Sequence, residues 1–179
     1  MKFKDIKKLP FATYKVNVPW TSLENTLEKY DESHTLILDP PYQRGYVWTE
    51  EQKIKYVEYI LRGGFSGKDI FFNSPNWMNW SRKNSIKPIE LVDGKQRIEA
   101  VLSFLNNKIK AYGYYLKEYE DNLGLFEAEF VFHINKLSDP VEVVEWYLGM
   151  NDGGTAHTEK DLKVAYDYLE TLKGEIDEK

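Results

Sequence analysis

Residues 88 to 105 constrain the fold of this chain more than any other stretch. Pro88-Ile89-Glu90-Leu91-Val92 reads as a short apolar strand, the next residues as a break, and the remainder as an amphipathic helix. Ile98, Val101, Leu102 and Leu105 recur at i, i+3, i+4 and i+7, one buried stripe of a helix. Asp93 stands where an N-cap belongs, its carboxylate placed to accept from the first free backbone amides. The first turn then offers unpaired N–H groups and the positive end of the helix dipole, a seat for a phosphate. Gly94 has no side chain to obstruct a ligand. Lys95, Gln96 and Arg97 bring cationic and amide donors to the same turn.

The same residues admit a purely structural reading. Asp93 and Gln96 have the D-x-x-Q spacing of a capping-box variant. Gly94 falls on the line of the apolar stripe and would let the helix approach a sheet closely. Neither role explains Arg97, which lies at the flank of the stripe. A guanidinium there needs a carboxylate or a phosphate as partner.

Composition sets the bounds. A chain of 179 residues with 42% apolar and 15% aromatic content suits one folded domain with a real core. A net charge of −5 argues against a surface coated for non-specific nucleic-acid binding, though not against a local basic patch. With no cysteine, disulfides, thiolate zinc sites and cysteine nucleophiles are excluded. His34, His133 and His157 are far apart and lack metal-ligand spacing. No apolar run reaches the length of a membrane span and no signal-peptide core opens the chain, so the expectation is a soluble, cytoplasmic protein with no membrane partner.

The lysines of Met1 to Lys8 suit a solvated arm or edge strand. Thr21 and Ser22 open a helix through Leu23, Leu27 and Tyr30, and Leu36 to Leu38 form a short strand. After Pro40-Pro41 come Tyr42-Gln43-Arg44 and Trp48, in a loop that ends on the capping box Thr49-Glu50-Glu51-Gln52. The helix it starts buries Ile54, Val57, Ile60 and Leu61 and ends at Gly63-Gly64. Trp48 reads as a packing anchor, and Arg44 by itself as a surface residue. Asp69 to Asn73 is a strand; Ser74 to Lys87 is a polar loop whose Trp77 and Trp80 suggest a folded flap. Lys108 to Ala111 and Tyr114 to Leu116 resemble a strand or hairpin around Gly113. Ala128 to Ile134 is a strand with Phe130, Phe132 and Ile134 on one face and His133 on the less apolar one. Pro140 starts a helix burying Val143, Val144, Tyr147 and Leu148. Asn151 to Gly154 breaks it, and Thr158 caps a last helix carrying Leu162, Ala165, Tyr166 and Leu169. The tail from Gly174 is charged and expected to fray.

Three stretches in this order resemble a known family. They are Tyr42-Gln43-Arg44 with Trp48, then Asp93-Gly94-Lys95-Gln96-Arg97, then Asn151 with Gly153-Gly154 and Thr158 to Leu162. The pattern is similar to the N-terminal domain of GmrSD-type restriction endonucleases, with its Q-R-x-x-x-W and D-G-Q-Q-R motifs. The likeness spans about residues 35 to 165. It implies an α+β fold of ParB/sulfiredoxin type, a small mixed sheet with flanking helices. Residues 1–34 would form an arm and helix, 35–135 a nucleotide-pocket core, and 136–179 a C-terminal helical portion packed on that core.

The resemblance also implies a function: binding, and in the fuller reading hydrolysis, of a nucleoside triphosphate with Mg²⁺, in restriction or anti-restriction regulation. Gln43, Arg44, Gly94, Lys95, Arg97 and Asn151 would bind the nucleotide. Asp93, Gln96 and Arg97 would carry the catalysis, with Asp93 as metal ligand. The chain departs from the family at Lys95, usually Gln, and at His157, usually apolar. The family's nuclease portion would follow this stretch, so nuclease activity is not expected of this chain alone; a nuclease subunit or DNA are the further partners. A second class of function keeps the fold but makes it a non-catalytic adaptor or inhibitor that binds protein or DNA.

Overall fold

In the computed structural model, which describes residues 2–6, 9–10, 12–77, 87–121, 125, 127–152 and 159–177, five strands make one mixed sheet. They are β1 (Tyr14–Pro19), β2 (Leu36–Ile37), β3 (Asp69–Asn73), β4 (Ile89–Asp93) and β5 (Glu129–Asn135), in the order β1-β5-β3-β4-β2. β1/β5 and β3/β4 are antiparallel; β3/β5 and β2/β4 are parallel. The expected α+β class holds.

Ile70, Phe72, Leu91, Phe130, Phe132 and Ile134 point to one face, where α1 (Leu23–His34), α2 (Glu50–Leu61) and α3 (Lys95–Leu105) cover them. All six are fully buried, each contributing about 1.5–3 kcal/mol by leaving water. The opposite face carries Lys15, Asp69, Phe71, Asn73, Glu90, Val92 and His133. Part of it lies under α4 (Pro140–Asp152) and α5 (Glu159–Asp177), which pack Val143, Trp146, Tyr147, Ala165 and Leu169 with Tyr42 and Val92.

One irregularity positions the site. Phe72 pairs with Leu91 but Phe71 with Asp93, so β4 holds one extra residue, Val92, at this point. A bulge of this kind re-aims the side chain that follows it. Here it sets Asp93 opposite Phe71, on the face toward α4.

Several local expectations are met. Ser22 precedes α1, Thr49 and Gln52 form a reciprocal capping box on α2, and Pro140 is the first residue of α4. Four are corrected. Residues 14–19, given no strand from sequence, are the edge strand β1. The hairpin around Gly113 reduces to a single bridge, Ala111 to Tyr114, followed by a 3₁₀ turn at Leu116–Glu118. Tyr166 of α5 is exposed, and Tyr168 packs inward in its place. The helix runs on through Gly174 to Asp177. Trp77 packs edge-on to Tyr30, ring centroids 5.3 Å apart. Trp80, Gly153-Gly154, His157 and Thr158 lie outside the described residues.

Candidate functional site: a cationic cleft at the start of α3

Asp93 does not cap α3. It is the last residue of β4, and the N-cap is Gly94, at φ 110° and ψ 7°. That left-handed conformation costs any L side chain. A Cβ on Gly94 would also stand 2.5 Å from Ile70 Cδ1. Glycine is therefore required twice, for the turn and for the close approach of α3 to β3. Because Gly94 has no side chain, α3 starts without a side-chain cap. Its first-turn amides face whatever the neighbouring loop leaves in front of them.

That loop is held by the residues after Gly94. Gln96 Oε1 accepts from the backbone N–H groups of Val47 and Trp48, each at 3.1 Å, and its Nε2 donates to the Gly45 carbonyl at 3.1 Å. The capping-box reading of Gln96 is thus replaced by a brace between α3 and the loop. Lys95 is 5% exposed and turns inward. Its ammonium meets the Asp39 carboxylate and donates to the Arg44 carbonyl at 3.2 Å, and lies 4.6 Å from the centre of the Tyr46 ring. From the other side, Gln43 Nε2 donates to the carbonyls of Leu91 and Val92, the latter at 2.8 Å. Tyr42 is buried, donates to Glu90 Oε2 at 3.2 Å, and packs its ring at a tilt against Tyr147. Burial raises the Glu90 carboxyl above its ordinary value, partly offset by hydrogen bonds from Tyr42 and Asn73.

Arg97 finds the carboxylate that its position at the flank of the stripe demands. Its Nη2 lies 3.2 Å from Oδ2 of Asp93, four residues back at the end of β4, and Nη1 donates to the Asp69 carbonyl. The pair is about a quarter exposed on each side, so it remains in touch with solvent.

Gln43, Arg44, Trp48, Asp93, Gly94, Lys95, Gln96, Arg97 and Tyr147 line one open cleft of about 120 Å³. Two arginines 53 positions apart in the chain thus meet in a single concavity beside Asp93. Asn151 is not in the lining. Its buried amide donates to the Tyr147 carbonyl at 2.7 Å, so it supports the cleft at one remove. Sequence reasoning gave Trp48 and Tyr147 packing roles only and gave Asp39 none. Trp48 both packs on Tyr56, at 5.3 Å, and faces the cleft. Tyr147 lines it from α4, and Asp39 partners Lys95. No signal marked Asp39, whose role depends on a loop conformation.

Among the described residues no group of three or more histidine, aspartate or glutamate side chains is placed to hold a metal ion. No helix of the described residues is long and apolar enough to cross a membrane.

Fold and cleft together define a small α+β domain built around a cationic helix start. The family model for the GmrSD restriction endonuclease, N-terminal domain, matches residues 23–131, and the chain belongs to that family. Its role is accordingly related to restriction systems. No curated protein and no solved structure matches the chain.

Proposed function

We propose that the chain binds a nucleoside triphosphate with its phosphates in the α3 cleft, hydrolyses it with Mg²⁺, and through it governs a nuclease partner. One observation carries this reading: the cleft brings two arginines and the Asp93 carboxylate to a helix start that no side chain caps, with Lys95 paired to Asp39 behind them. Unpaired first-turn amides, the helix dipole and guanidinium groups all favour an anion at the same point. The volume suits phosphate groups, leaving the rest of the ligand to lie outside.

Arg44 and Arg97 contact phosphate oxygens, Arg44 from the loop and Arg97 from the helix. Lys95 acts from behind, fixing the Arg44 backbone. Gln43 and Gln96 hold the walls, their amides engaged with main chain, so Gln96 contributes to catalysis by positioning. A magnesium ion fits this donor set through Asp93, since Mg²⁺ is usually held by one or two carboxylates plus substrate phosphates. Bound there, it would neutralise charge on the phosphates. Asp93 would hold the ion, and Arg97, its ion-pair partner, would reach the phosphates beside it. Phosphoryl transfer needs mainly positioning and charge stabilisation, which this set supplies.

The adaptor reading draws on the same geometry, because Gln43, Lys95, Gln96 and Arg97 all have partners within the protein. Hydrolysis assays on the wild type and Asp93→Asn separate the two. The enzyme reading expects Mg²⁺-dependent release of phosphate that the variant lacks. Wild-type protein that binds no triphosphate and releases no phosphate favours the adaptor.

A further inference from the structure

The sheet face that carries Asp93 holds a second cavity, of about 380 Å³, within the about 300–1,000 Å³ usual for small-molecule sites. Lys15, His133 and Phe71, neighbours across β1, β5 and β3, form its floor. Trp146 of α4 makes one wall, and Leu9 and Ala12 of the N-terminal arm make the other. The arm lies against α4 at Gly149, where a Cβ would collide with the Leu9 side chain. Glycine is unfavourable in a helix interior, and the arm's close approach is what it permits here.

The two cavities share one row of side chains. Phe71 pairs with Asp93 on one side and with His133 on the other. The Asp69 carboxylate bonds His133 Nε2, while the Asp69 carbonyl accepts from Arg97. Two strand spacings, about 10 Å, separate Asp93 from His133. A ligand with a phosphate end, a sugar and a flat ring spans that interval.

The chemistry of the second cavity suits the ring. His133 lies on Phe71 with centroids 4.7 Å apart and planes 18° from parallel. Trp146 stands edge-on to Phe71 at 6.0 Å. Such an aromatic corner recognises flat rings. Asp69 occupies Nε2 of His133, which leaves Nδ1, and Lys15 adds an ammonium donor to the lining.

We infer that this cavity is the base subsite of the nucleotide whose phosphates occupy the α3 cleft, an assignment that rests on the phosphate reading of that cleft. Lys15 donates to an acceptor on the rim of the base, a ring nitrogen or a carbonyl oxygen.

Calorimetric titration of the wild type, Lys15→Met and Ala12→Phe with UTP, CTP, GTP, ATP and inorganic tripolyphosphate tests this. Lys15 is exposed on an edge strand, so Lys15→Met should keep its melting temperature without ligand. The wild type should bind at least one of the four nucleotides ten-fold or more tighter than tripolyphosphate. Both variants should lose that margin and keep their tripolyphosphate affinity. Equal affinity for tripolyphosphate and all four nucleotides, or a nucleotide margin that survives both variants, overturns the base subsite and leaves the phosphate cleft standing. Wild-type protein that binds neither class of ligand overturns both.

Discussion

Replacing Gly94 with alanine tests the local physics of the site without touching a charge. The residue sits at φ 110°, and a Cβ there would meet Ile70 Cδ1 at 2.5 Å and Cγ2 at 3.2 Å. The left-handed backbone costs about 1–2 kcal/mol for an L residue, and forcing a methyl into a packed core costs about 1–3 kcal/mol more. Ile70 is fully buried and has little room to yield. Gly94→Ala should therefore lose about 2–5 kcal/mol, roughly a 5–15 °C fall in melting temperature for a domain of this size. Ile70→Val removes the nearer clashing atom at a cost of its own of about 0.5–1.5 kcal/mol. Urea titrations of the two single variants and the double variant, followed by tryptophan fluorescence, give the coupling. The double variant should be less destabilised than the sum by about 1 kcal/mol or more. Strict additivity, or a Gly94→Ala loss below about 1 kcal/mol, would refute the close contact between α3 and β3.

Other outcomes follow from the same contacts. Asp93→Asn removes an ion pair that is about a quarter exposed, so urea stability should fall by about 1 kcal/mol or less, while Mg²⁺-dependent phosphate release should cease. Gln96→Ala deletes three hydrogen bonds to the 45–48 loop and should cost about 1–3 kcal/mol in denaturation, with weaker tripolyphosphate binding as Arg44 loses its support. The Glu90 carboxyl is raised above 4.5 by burial, so the folded form holds its proton more tightly than the unfolded one. Its contribution is fullest below that value and is lost as pH rises through the raised one. Urea titrations should thus show wild type gaining on Glu90→Gln between neutral pH and about pH 4.5; a relative loss on acidification contradicts the buried placement.

Much of this arrangement is legible in the sequence, and the rest fails for identifiable reasons. The β4–α3 junction, the capping box at Thr49 and the strand at Asp69–Asn73 are local signals, set by periodicity and caps, and the structure keeps them. Convergence of Arg44 and Arg97 was expected from the order of the motifs, and both line the cleft. The role of Asp93 as a cap was misjudged because D-x-x-Q spacing does not reveal the extra residue at Val92, a feature of strand pairing. The inward turn of Lys95 depends on Asp39 and the Arg44 carbonyl, both more than fifty positions away and brought close only by the fold. β1 was missed although Tyr14, Val16 and Val18 alternate with Lys15 and Asn17, because its partner β5 lies more than a hundred residues later.

The central claim is that phosphates sit on the first turn of α3, and backbone amide shifts read that position directly. Titrating isotope-labelled protein with a nucleoside triphosphate and Mg²⁺ should move the amide signals of Gly94, Lys95, Gln96 and Arg97 most, together with the side-chain signal of Arg44, in one saturable process. Saturable shifts centred elsewhere in the molecule, with these amides unmoved, would contradict it.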